Sequence, residues 1–216
     1  MMKIDCHLHS EYSPDSISNL EELLSRAKSI GLGKLIITDH NTISGAVKLQ
    51  RSYPDYVIVG EEIQTTAGEI LAFFVRKEIP AHLEPLEAFK RLRDQNAFIS
   101  LSHPYAYSRM GWKEEEMLWY KPYLDAIEIA NGRNTRGLND KAVEFARMNG
   151  LAGTAGSDGH AIKELGRIGL ELPDFNTADE MRVAIQEANV FGSESSLFIR
   201  YYSRKAVLVK KFRDKS

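Results

Sequence analysis

Apolar runs alternate with amphipathic ones along this chain, and nearly every apolar run stops at an ionisable residue. "MKIDCHLH" ends at His7 and His9, "KLIITDH" at Asp39 and His40, "AFISLSHP" at His103, and "LAGTAGSDGH" at Asp158 and His160. "LDAIEIAN" and "RIGLEL" are two further predicted strands. "YVIVGEEIQT", carrying Glu62, and "EILAFFV" are two more, joined by a turn at Ala67–Gly68. The intervening "LEELLSRAKSIGLG", "TISGAVKLQRSY", "PLEAFKRLRDQN", "WKEEEMLWY", "GLNDKAVEFARMNG" and "TADEMRVAIQEA" read as helices. Ser18 and Glu21 fit a capping box for the first of these, and Pro85 suits a helix start. The alternation predicts an α/β fold of parallel strands covered by helices, and about seven such units favour barrel-like closure over an open sheet.

In such folds the C-terminal ends of the strands form one face, where binding sites gather. Residues two apart on a strand share a side, so Asp5, His7 and His9 are expected to point together. Of 6 histidines, only His82 falls in a loop away from a strand end. Taken singly, each motif has an ordinary reading. "SDGH" is a common turn, "TDHNT" fits a helix cap by Asn41 or Thr42, and "SHP" fits a turn before proline. Together, imidazoles and carboxylates on one rim form the donor mix that holds zinc, manganese or iron.

The 216 residues, 43% hydrophobic, suffice for one substantial core. A net charge of −2 gives no global reason to expect nucleic acid or an anionic membrane as partner. Cys6 is the only cysteine, which excludes an internal disulfide and a cysteine-based zinc knuckle. The start lacks the pattern of a secretory signal, and no apolar stretch approaches the ~20 residues that span a bilayer. A cytoplasmic protein without a membrane partner is expected. The expected boundaries are a domain over 1–196 and a basic C-terminal tail over 197–216, packed on the barrel or extending from it. Oligomeric state is not legible.

The order of the motifs resembles the PHP (polymerase and histidinol phosphatase) family of metal-dependent phosphoesterases, from Ile4 to about Ala188. His7, His9 and Asp15 match its HxH opening, and Thr38-Asp39-His40 its "TDH" strand end. Glu62 matches its "G-x-E" strand, His103-Pro104 its "HP", and Gly156 to His160 its "GSDxH". The chain departs at one point, where "AGEILAFF" puts Glu69 in place of the usual histidine. Glutamate is a harder donor that ligates the same metals.

The resemblance implies a distorted, TIM-barrel-like (β/α)7 barrel with two or three divalent ions (Mn, Zn or Fe). One ion would be held by His7, His9, Glu62 and Asp158, and a second by Glu62, Glu69 and His103. A third would be held by Asp15, His40 and His160. It implies hydrolysis of a phosphate ester by metal-bound water, with Asp158 and His160 at the reacting centre. The substrate would be a small phosphate monoester, nucleotide or oligonucleotide. Asp5 and Asp39 are candidates to orient metal-bound histidines, Asp39 being equally a helix cap. Arg133, Arg136 and Arg167 are candidates for the substrate phosphate, with Asn131 orienting substrate or ligand. Tyr12 and Tyr105 are candidates to stack a ring, while Trp112 and Trp119 are expected in the core. A metal amidohydrolase also opens with HxH on a barrel strand, and a non-catalytic metal-binding domain is a third reading.

Overall fold

A computed structural model describes residues 1–194 and Lys210. The elements run β1 Met2–Ile4, α1 Leu20–Ser29, β2 Leu35–Ile37, α2 Ser44–Gln50, β3 Val57–Gln64, β4 Glu69–Phe73, α3 Pro85–Asp94 and β5 Phe98–Leu101. They continue α4 Glu114–Tyr120, β6 Ala126–Asn131, α5 Arg136–Asn149, β7 Ala152–Gly156, β8 Ile168–Leu172, α6 Ala178–Ala184 and β9 Asn189–Gly192. Strand β9 has no counterpart in the sequence reading. Its four residues are too short and too exposed for an alternating signal.

A curled sheet of six strands, in the order β2-β3-β4-β5-β6-β7, carries the α/β expectation. Its pairs β2–β3, β5–β6 and β6–β7 are parallel, as predicted. Strand β4 is antiparallel to both neighbours. The cause is the tight turn after β3, where Thr65 N bonds Gly68 O at 3.0 Å and leaves no room for a crossover helix. Gly68 is needed there, because a Cβ would stand 2.5 Å from the Trp112 ring. The all-parallel expectation is corrected at this strand.

The N-terminal strand is divided. β1 joins β8 and β9 in a separate antiparallel sheet of three. Residues 5–9 then run between the two edges of the larger sheet. Cys6 N donates to Ala155 O at 3.1 Å beside β7, and Thr38 N donates to Leu8 O at 2.9 Å beyond β2.

Both faces of the larger sheet are buried, so its strands read as continuous apolar runs. Leu35, Ile37, Val57, Val59, Ile99 and Leu101 pack toward Leu23, Leu49, Phe89 and Phe145 of the helices. Ile36, Ile58, Leu71, Phe73 and Phe98 fill the opposite face with Phe175 and Met181. Helix α1 buries Leu20, Leu23, Leu24 and Ala27, a 3.6-residue stripe. Its cap is Asn19, whose side chain accepts from Glu21 N and Glu22 N, and not the expected Ser18. Pro85 does open α3. Trp112 is fully buried, but Trp119 is 76% exposed. Met117 takes the inward face of α4, and two residues further round the helix points to solvent.

Among the described residues no helix is long and apolar enough to cross a membrane. The expected tail, 197–216, lies outside the described residues except for Lys210, whose ammonium reaches Glu11 O at 2.7 Å.

Gly156 marks where residues 5–9 press on β7: a Cβ there would lie 2.4 Å from His7 N. Backbone cannot yield cheaply, so Gly156→Ala should destabilise the fold by about 1–3 kcal/mol. Denaturant titration against the wild type checks this, and an unchanged midpoint would show that the segment is not tightly held.

Candidate metal centre

The polar ends of the strands converge on Glu62. Its position on β3 shares a face with Ile58 and Gly60, so the strand that packs the interior also delivers the carboxylate to the rim. Glu62 Oε2 lies 3.1 Å from His7 Nε2, 3.3 Å from His9 Nε2 and 3.1 Å from His40 Nδ1. Glu62 Oε1 lies 3.2 Å from His103 Nε2 and accepts a hydrogen bond from Ser102 Oγ at 2.6 Å. Asp158 Oδ1 stands 3.5 Å from His9 Nε2 and 3.8 Å from His7 Nε2.

The antiparallel β4 explains how Glu69 arrives. Gln64, ending β3, is paired with Glu69, starting β4. An N-terminal residue thereby reaches the same rim as the C-terminal residues of its parallel neighbours. Glu69 Oε2 is 3.1 Å from His103 Nε2. On the other side Asp15 Oδ2 is 2.7 Å from His160 Nε2, and Asp15 Oδ1 is 3.6 Å from His40 Nε2. All nine side chains singled out as metal ligands therefore meet in one cluster. Their grouping is less partitioned than expected, since His9, His40 and His160 gather together, as do His40, Glu62 and Glu69.

The donor chemistry fits divalent ions. Ligand atoms sharing an ion at about 2.0–2.2 Å stand roughly 3–3.5 Å apart, the range seen around Glu62. Ring orientation fits too. His7 Nδ1 meets Glu128 Oε1 at 3.0 Å, and His9 Nδ1 meets Ser13 Oγ at 3.1 Å. Ser13 Oγ in turn donates to Asp39 Oδ1 at 3.0 Å. With protons on both Nδ1 atoms, the two Nε2 atoms face each other at 3.1 Å, a contact that needs either a shared proton on His7 or a metal ion between them. His160 Nδ1 is bonded to its neighbouring carbonyl, Asp158 O, at 2.9 Å. His103 Nδ1 is buried with no hydrogen-bond partner among the described residues. His103 and Asp158 hold positive φ of 24° and 52°, strained backbone held in place at the centre itself.

Asp39 orients His9 through Ser13 and does not cap α2, whose first N–H, that of Ser44, is taken by Thr42 Oγ1 at 3.2 Å. Asp5 does not touch a histidine ring. It accepts from Ser157 N at 2.8 Å and Gly166 N at 2.9 Å, tying loops together, because the chain leaves regular strand geometry after Ile4. Burial raises its carboxyl to about 6.

The charges are balanced internally. Burial opposes a charged His7, yet Glu62, Asp158 and Glu128 hold it well above the ordinary imidazole range. His40, against the same burial penalty, is raised to about 10 by Glu62 and Asp15. Burial and the adjacent His160 and His40 lower His9 to about 3. Burial works against charge on Glu62 and Asp158, but neighbouring His7 holds both well below the usual carboxylate range. Burial and the charge of Glu62 raise Glu69.

A cavity of about 340 Å³ opens on the cluster, lined by Asp15, His40, Glu62, Glu69, His103, Arg109, Met110, Arg133, Asp158 and His160. Arg133 is there as expected, backed by Glu164 Oε2 at 2.9 Å. Arg136 is not: it sits on α5 with its side chain 86% exposed, 4.0 Å from Asp140. Arg167 is exposed at the start of β8, on the separate sheet, and does not line the cavity. Asn131 lies beneath it, donating to Asp158 Oδ2 at 3.1 Å and Glu128 Oε2 at 3.0 Å. Neither Tyr12 nor Tyr105 lines it. Tyr105 donates to Glu114 Oε2 at 3.1 Å, and Tyr12 lies beside Lys48. Sequence reasoning missed Arg109, which pairs with Asp158 Oδ2 and reaches Asn134 Oδ1 at 2.6 Å. It also missed Glu128 and Ser13. A lone glutamate inside the apolar run "LDAIEIAN" was the available signal for Glu128.

A family model described as PHP domain matches residues 5–142, and one described as PHP-associated matches 136–190. An uncharacterized protein of Methanocaldococcus jannaschii is 35% identical over 186 residues, covering 81% of this chain and 72% of its own length. The crystal structure of a two-domain Bacteroides vulgatus protein containing a predicted PHP-like metal-dependent phosphoesterase superposes with a TM-score of 0.73 at 19% identity. That match covers 89% of this chain, which spans only 65% of the Bacteroides protein. An amidohydrolase from Chromobacterium violaceum superposes with a TM-score of 0.64 at 15% identity, over 88% of this chain and 97% of that one. At these identities the two structures show a shared fold alone.

Because His7 and His40 are protonated in the ion-free protein at neutral pH and must be neutral to ligate, ion uptake releases about two protons. Fewer protons are bound in the loaded state, so affinity should rise with pH, about tenfold per unit for each proton released. Calorimetric titration with zinc in buffers of different ionisation enthalpy measures the number. Uptake with no proton release would contradict the charge assignment.

Proposed function

Since the chain belongs to the PHP domain family, we propose that it is a metal-dependent phosphoesterase acting on a phosphate ester, from a small phosphorylated compound to a nucleotide or oligonucleotide end. The observation that carries the reading is Glu62 set among four imidazoles at 3.1–3.3 Å beside a cavity with two arginines. In this reading residues 5–9 are the stave that completes a distorted barrel, and the unit over 1–196 works in the cytoplasm as one domain. His7, His9, Glu62 and Asp158 would hold one ion, with Glu62, Glu69 and His103 holding a second and Asp15, His40 and His160 a third. Two or three ions of zinc, manganese or iron, once bound, would supply Lewis acidity for phosphoryl oxygens and would lower the pKa of an attacking water.

The chain's own groups do the rest. Arg133, held by Glu164, and Arg109, held by Asp158 and Asn134, bring fixed positive charge to the cavity for the phosphate oxygens. Asp158 turns one oxygen to His9 and the other to Arg109, linking the ion-facing and substrate-facing sides. His160, fixed through Asp158 O, keeps Nε2 toward the cavity beside the reacting centre. Water forms the new P–O bond, the ester P–O bond breaks, and the leaving oxygen takes up a proton.

The amidohydrolase neighbour motivates the competing reading. Among the described residues two arginines and no lysine line the cavity, and that donor set suits phosphate. A panel of phosphate esters and of cyclic and linear amides, assayed with manganese-loaded protein, separates the two. Turnover of amides alone would overturn the phosphoesterase reading.

Asp158→Ala and His9→Ala should each lower turnover by more than about a hundredfold, beyond the loss expected from an outer partner alone. Circular dichroism near that of the wild type is the control. Glu69→Ala should lose one ion per chain by elemental analysis. Glu69→His should keep that ion and shift preference from manganese or iron(II) toward zinc, the softer donor favouring the softer ion. A full ion complement in Glu69→Ala would place Glu69 outside the ligand set.

A further inference from the structure

Glu128 is fully buried on β6, touches no part of the cavity, and meets only donors. Its Oε1 faces His7 Nδ1 at 3.0 Å. Its Oε2 accepts from His103 N at 2.7 Å and from Asn131 Nδ2 at 3.0 Å. None of the three can reverse its role. His103 N is main chain. The Asn131 amide is oriented from its other side, where Oδ1 accepts from Arg133 N at 2.8 Å. His7 Nδ1 must carry the proton if Nε2 is to offer its lone pair to the cluster. We propose that Glu128 is a positioning residue that sets the His7 tautomer and the His103 main chain together, aiming both imidazole Nε2 atoms at Glu62.

Two further observations support this assignment. Among the described residues none bonds His103 Nδ1, so none grips that ring from behind as Ser13 grips His9. Its main chain, at φ 24°, is what Glu128 holds. Asn131 also donates to Asp158 Oδ2 at 3.1 Å, so one buried carboxylate braces His7, His103 and Asp158 at once.

Glu128→Gln tests the idea because it keeps shape and removes one acceptor. An amide satisfies two donors by turning its oxygen to His103 N and Asn131 Nδ2. Its NH2 then faces His7 Nδ1 and drives the ring proton to Nε2, the nitrogen aimed at Glu62. The inference rests on the proposal that His7 and His103 hold ions. The measurement is imidazole nitrogen NMR of zinc-loaded wild type and Glu128→Gln, with zinc affinity by competition against a chelator. The expected result is His7 protonated on Nδ1 in the wild type and on Nε2 in the variant, with affinity lower by about 10- to 100-fold. A variant that keeps the Nδ1 proton and wild-type affinity overturns the role of Glu128. If the variant does not fold, the wild-type spectrum decides: His7 protonated on Nδ1 supports the role, and on Nε2 overturns it. A wild type that takes up no zinc overturns the metal reading itself and this inference with it.

Discussion

One carboxylate organises this molecule's polar end. Glu62 is almost completely buried, where an isolated charge would cost several kcal/mol. It is stable there because four imidazole nitrogens stand within 3.3 Å and Ser102 donates to it. Without ions, protons on His7 and His40 supply the positive charge; divalent ions would supply it in their place. The geometry around Glu62 is therefore the same problem solved for two occupants, and it makes ion uptake and proton release a single event.

That hub constrains the fold around it. His7 and His9 come from the segment bonded to both sheet edges, so the cluster and the closure of the sheet depend on the same hydrogen bonds. Gly156 lets that segment approach β7, and Asp5 ties it to Ser157 and Gly166. Two of the non-glycine residues with positive φ, His103 and Asp158, belong to the cluster, and they are held by Glu128 and by the bond from Asp158 N to His7 O at 2.8 Å. A residue held in such a conformation by its surroundings loses little further freedom when it meets a ligand.

Much of this was legible in the chain. Strand ends in a parallel α/β fold share a rim, so His40, His103 and Asp158 could be placed together before any coordinates were known. Glu69 was legible only through its register with the family pattern; its physical route to the rim is the reversal of β4, which a turn at Ala67–Gly68 foreshadowed. Arg136 and Arg167 misled for a related reason. Both stand in the polar connections between predicted elements, but Arg136 begins α5 on its solvent side and Arg167 immediately precedes β8 of the smaller sheet. Arg109 was hidden because its loop, after His103, has no periodicity to show which side chain turns inward. Glu128 carried a signal of burial, a lone glutamate in an apolar run, but not of its role, because its three donors are spread from His7 to Asn131.

The central claim is that the Nε2 and carboxylate atoms around Glu62 form sites for divalent ions. Anomalous diffraction from crystals grown with zinc tests it most directly. Peaks are expected about 2.0–2.3 Å from His7 Nε2, His9 Nε2 and a Glu62 oxygen, with at least one more between His103, Glu69 or His40. Crystals whose anomalous map is flat at this cluster, with His7 and His9 still 3.1 Å apart, would contradict it.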